Sequence, residues 1–106
     1  MPGAAGPSAA AATEDPEKLV KEAYQLKRSG KYDEAAQKLE AALKAQPSNA
    51  KAHWIFAWIL AEQGTTYNDA AKVQRAKEEF QAFLKNSKEA KKVAEAKKAL
   101  ARLAKK

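Results

Sequence analysis

Few residues in this chain have the chemistry of an active site, and their spacing brings few of those together. His53 is the single histidine, and there is no cysteine. A catalytic or metal-bound imidazole needs neighbours that orient the ring and fix its proton. Three and four residues from His53 on a helix stand Asn49, Ala50, Phe56 and Ala57, none of them an acid. His53 is therefore expected to be structural or at the surface. The serines Ser8, Ser29, Ser48 and Ser87 stand singly, mostly beside turn residues, where helix capping accounts for them. Glu78 and Glu79 are interspersed with lysines and are expected on a solvated face, while Asp33 and Glu34 complement the dipole at a helix start. The sequence has no glycine-rich phosphate loop and no metal-ligand spacing, and without cysteine it has no disulfide or thiolate site. The expectation is a protein with no catalytic residues, no cofactor and no bound metal.

Binding chemistry is better represented, in two places. From Ser87 onward eight basic residues oppose only Glu89 and Glu95, which accounts for most of the net charge of +7. Lys91, Lys98, Arg102 and Lys105 share one helix face, opposite Val93 and Leu100. Such a face can bind nucleic acid, an anionic surface or an acidic protein. It can equally be a solvated outer face whose last lysines complement the helix C-terminus. No aromatic residue interleaves with these lysines to stack a base, so the solvated face is the preferred reading and nucleic acid the lesser one. The second place is the stretch Ala50 to Gln63, where Trp54, Ile55, Phe56, Trp58, Ile59 and Leu60 make a helix apolar nearly all round. A helix of that kind is buried on every side or presents a sticky surface.

The elements that must position these groups are all helices. Alanine, lysine, leucine and glutamate dominate and β-branched residues are few. At 106 residues the chain makes one small domain, in which every helix has to contribute to the core. Periodicity and turn chemistry predict five helices, over 15–29, 32–46, 49–63, 69–85 and 88–104. Asp15 and Pro16 read as cap and first helical residue, Gly30 as the left-handed residue closing a helix, and Pro47 as a stop. Ser48 or Asn49 caps the third helix. Gly64 to Tyr67 is expected to be the turn that ends it. The fourth helix is read as extended backward to a cap at Asn68 or Asp69, because Ala70, Val73, Ala76, Phe80, Phe83 and Leu84 keep an unbroken period. Residues 1–14 carry proline, glycine and an alanine run with no apolar face, and are expected to be a disordered tail or linker without the marks of a signal peptide. The apolar run from Trp54 to Ala61 is far shorter than the roughly 20 residues of a membrane-spanning helix.

The stretch from Leu26 to Ala50 carries a resemblance. Leu19, Ala23 and Leu26, then Gly30 and Tyr32, then Ala35, Leu39, Ala42 and Pro47 stand at offsets that resemble the tetratricopeptide repeat, a helix-turn-helix unit of about 34 residues. The first repeat would span 16–49. A second, with an insertion, would span 50–87 and carry Phe56, Ala57, Leu60 and Gly64 at matching positions, and the helix at 88–104 resembles the terminal helix of such arrays. The resemblance implies an all-α, right-handed superhelix of about five antiparallel helices. It also implies a non-enzymatic module that binds a peptide or protein segment in a concave groove. The family's groove positions, carried over by match, fall on Glu17, Val20, Tyr24 and Lys27 in the first repeat and on Lys51, Trp54, Trp58 and Ala61 in the second. Lys27 and Lys51 would favour an acidic or carboxylate-bearing partner. Val20, Tyr24 and Ile55 occupy positions where some relatives carry a clamp for a C-terminal carboxylate, so that clamp is not expected. Polyanion binding through Lys91, Lys98, Arg102 and Lys105 is the alternative, and a self-associating structural module the third reading. A monomer is favoured.

Overall fold

The computed structural model describes residues 15–104, all five of whose regular elements are α-helices. They are α1 (Pro16–Arg28), α2 (Tyr32–Ala45), α3 (Ala50–Thr66), α4 (Ala70–Asn86) and α5 (Ala90–Ala104). The expectations for residues 1–14, and for Lys105, lie outside the described residues. The chain divides into two compact units, Met1–Pro47 and Ser48–Lys106.

The first unit is a helical hairpin whose ends are set by local hydrogen bonds. The Asp15 carboxylate accepts from the Glu17 backbone N–H at 3.0 Å, and Pro16, which has no N–H to satisfy, opens α1. At the other end Gly30 takes φ of 81°. That conformation lets the Lys31 N–H reach Leu26 O at 2.8 Å and the Gly30 N–H reach Lys27 O at 3.0 Å, the paired bonds of a Schellman stop. The chain reverses in three residues, and α2 packs back along α1. Leu19, Val20 and Ala23 of α1 are buried, as are Ala35, Leu39 and Ala42 of α2. Between the helices Lys38 Nζ lies 3.0 Å from the Glu22 carboxylate.

The second unit places α4 between two neighbours, packing extensively against α3 and less so against α5. Asn49 caps α3 by accepting from the Ala52 N–H at 2.9 Å. Asp69 caps α4, accepting from the Ala71 and Lys72 N–H groups at 3.1 and 3.2 Å. The turn between them differs from expectation. Gly64 does not end α3 but lies inside it, buried, and the helix runs on to Thr66. The left-handed residue is Asn68, with φ of 54°, a role asparagine fills more readily than other side chains. Gly64 is needed for a different reason. A Cβ at that position would stand 2.7 Å from Val73 Cγ2 and 2.9 Å from Val73 N, so α4 crosses α3 where α3 has no side chain. On α5 the buried face is Ala96, Ala99 and Leu103, with Val93 and Leu100 half-buried at its margins and Ala90 exposed.

Candidate functional site

α3 is the richest surface in functional groups, and its packing sorts them. Ile55, Phe56, Ile59 and Leu60 are all buried, whereas Trp54 and Trp58 remain partly exposed. The two tryptophans stand one helical turn apart and meet edge to face at 5.6 Å between centroids. Two buried rings of α4 back them. Phe83 lies 4.8 Å from Trp54, and Phe80 meets Trp58 edge-on at 5.0 Å. Their outer sides differ. The Lys92 ammonium of α5 sits 5.8 Å from the Trp54 ring, within cation–π range. Trp58 opens onto a pocket of about 430 Å³ formed with Ala61, Glu62, Thr65 and Thr66 of α3 and Ala99, Arg102 and Leu103 of α5.

Behind Phe56 the structure assembles a charged cluster that local sequence spacing did not foreshadow. His53 Nδ1 lies 2.6 Å from Glu79 Oε1, and Arg75 Nε donates to Glu79 Oε2 at 3.0 Å. The Arg75 guanidinium also sits 4.9 Å over the Phe56 ring. Glu79 is only 7% exposed, which corrects the expectation that it lies with Glu78 on a solvated face. Glu79 follows Ala76 by three residues and precedes Phe83 by four, so it falls on the buried stripe of α4 despite the lysines around it in sequence. His53 is likewise buried, the structural rather than the surface alternative. Burial pushes the Glu79 carboxyl up. The hydrogen bonds from His53 and Arg75, and the charge of both, more than offset that and hold it below the ordinary glutamate range. The signal was in principle present as an acid on the apolar stripe of α4, but its partner lies 26 residues away. The cluster pairs the charge it buries and takes no part in the pocket beside Trp58, so its chemistry is that of a tie between α3 and α4.

The remaining sequence-nominated residues distribute as follows. Tyr24 is 47% exposed on α1, with the Arg28 guanidinium 5.9 Å from its ring. Lys27 is half-buried on the same helix, and Lys51 is exposed at the start of α3. Val20 is 1% exposed and belongs to the core, which removes it from the binding residues. Consecutive Leu19 and Val20 widen the apolar stripe of α1, so both go under. Lys91, Lys98 and Arg102 are exposed on α5. Among the described residues no group of three or more His, Asp or Glu could hold a metal ion, and no helix is long and apolar enough to cross a membrane.

A model of the tetratricopeptide repeat family matches residues 20–79, more than half of the chain. Comparisons with curated proteins and with solved structures found no match. Repeats of this family generally mediate contacts between proteins, and the family is typically non-enzymatic.

Proposed function

The chain belongs to the tetratricopeptide repeat family, and we propose that it is a non-enzymatic adaptor that captures a peptide or protein segment through the part-exposed tryptophans of α3. One observation carries the reading: on a helix whose other large apolar residues are all buried, Trp54 and Trp58 keep part of their surface open. In the other unit Tyr24 does the same on α1. Tryptophan and tyrosine offer large contact area at low entropic cost, with a polar atom to bond at the rim. Lys51, exposed at the start of α3, favours an acidic or carboxylate-bearing segment.

Iodide quenching of tryptophan fluorescence tests the premise directly, since the reading requires a tryptophan that solvent ions reach. Full protection of both in the isolated chain would place them in the core and end the proposal. With access established, Trp58→Ala is expected to lose partner capture while helical circular dichroism survives. A second reading, polyanion binding, is favoured by the exposed Lys91, Lys98 and Arg102 on α5. Oligonucleotide affinity that falls steeply with salt, and that disappears when these three are changed to glutamine, would replace the adaptor reading.

A further inference from the structure

The pocket beside Trp58 lies between α3 and α5, both of which pack on α4. Where α3 and α5 face one another across it, their side chains are small: Ala61 on one wall, Ala99 on the other. Leu103 adds a further apolar wall and Trp58 a partly exposed ring, so the interior is mostly hydrocarbon. Its volume of about 430 Å³ lies within the range of sites that hold a ligand group, roughly 300–1,000 Å³. The rim is polar and unlike at its two sides. Glu62 stands on the α3 side and Arg102 on the α5 side. Arg102 is exposed and forms no ion pair with another described residue, and Lys98 is exposed one turn before it on the same helix.

We propose that this pocket anchors a partner segment in which a bulky apolar side chain stands next to a carboxylate, the apolar group entering against Trp58 and the carboxylate meeting Arg102. The inference rests on the adaptor reading above and adds to it the partner's chemistry and a contribution from α5. A planar guanidinium with a fork of N–H donors matches a carboxylate in two bonds. Apolar burial supplies the affinity and the charge pair supplies the direction.

The test uses the full chain, labelled for NMR, with short acetylated and amidated Gly/Ser peptides carrying a central Phe-Glu, Phe-Gln or Ala-Glu pair. The Phe-Glu peptide is expected to move the Trp58 indole signal and the Ala99 and Leu103 amides saturably. The Ala-Glu peptide should bind about tenfold weaker or less, having lost its apolar anchor. The Phe-Gln peptide should bind about two- to fivefold weaker, as suits a partly solvated ion pair. In Arg102→Gln the Phe-Glu and Phe-Gln peptides should become equal, with circular dichroism unchanged. In Lys44→Gln, at an exposed position of α2, binding here should be unaltered. A Phe-Glu preference that persists in Arg102→Gln overturns the proposal. Binding that depends on Trp58 and not on Arg102 or the peptide carboxylate overturns it while leaving the adaptor reading in place. Displacement of these signals by a second copy of the chain as protein concentration rises, or by an oligonucleotide and no peptide, assigns the pocket another occupant and also overturns it.

Discussion

Glu79 shows what a single buried charge does in a small helical unit. Its carboxylate is held by His53 from α3 and by Arg75 from its own helix, so removing it strands two donors rather than one. Glu79→Ala is expected to lower stability by about 1–3 kcal/mol, the scale of a lost hydrogen bond to a charged group, read by urea or thermal melts. The pH dependence follows from the direction of the shift. A carboxyl whose folded pKa is depressed contributes stability that is present above its unfolded pKa, about 4.3 for glutamate. That contribution is lost as pH falls through the folded value. The wild-type chain should therefore destabilise as pH drops below about 4. Glu79→Gln should show a shallower acid limb over the same range. Parallel acid limbs for the two would mean that the carboxyl is not depressed in the folded chain.

Among the elements, the two described glycines show that one residue type can be required for opposite reasons. Gly30 has open space around its absent Cβ but a positive φ, so its requirement is conformational. Gly64 is helical and has Val73 atoms where a Cβ would be, so its requirement is steric. Gly64→Ala removes a helix penalty of about 1 kcal/mol but forces α3 and α4 apart, and overpacking of this kind costs about 1–3 kcal/mol. Net destabilisation is expected, and a raised melting temperature would show that the helix crossing is looser than its geometry. Ala35 and Ala57 are fully buried, and Ala35→Leu or Ala57→Leu is expected to cost a similar 1–3 kcal/mol, roughly, by the same crowding. Asp69→Ala removes a cap that satisfies two N–H groups and should cost about 0.5–2 kcal/mol.

For the molecule as a whole, α5 separates what holds the fold from what the surface offers. Ala96, Ala99 and Leu103 are buried, while Lys91, Lys98 and Arg102 on the same helix are exposed. Changing those three to glutamine should leave the melting temperature nearly unchanged, because exposed charges contribute about 0–1 kcal/mol each. Ending the chain after Ser87 should lower stability by more than about 3 kcal/mol, since burying a leucine alone is worth about 1.5–3 kcal/mol. Equal melts for the two variants would mean that α5 does not contribute to the core. A match to an interaction family, aromatic side chains left part-open and a polar-rimmed pocket all point to recognition.

Some of this was decided within a few residues of chain and could be read there. Asp15 before Pro16 and Gly30 after Arg28 act through bonds that close inside one turn, and Pro47 after α2 through its missing N–H, so residue type alone located three helix ends and narrowed the cap of α3 to Ser48 or Asn49. The unbroken period from Ala70 to Leu84 likewise identified a long fourth helix, because α-helical repetition is a local property. Other features depended on which faces meet. α3 is apolar nearly all round, so its sequence carries no direction, and only tertiary packing decided that Ile55 and Ile59 go under while Trp54 and Trp58, against Phe83 and Phe80 of α4, stay part-open. Glu79 looked solvated among its lysines until α3 brought His53 to it across 26 residues. Gly64 looked like a turn until Val73 took the space beside it. In each case the deciding neighbour came from another helix, and a contact between helices is specified by their mutual packing rather than by the residues on either side in the chain.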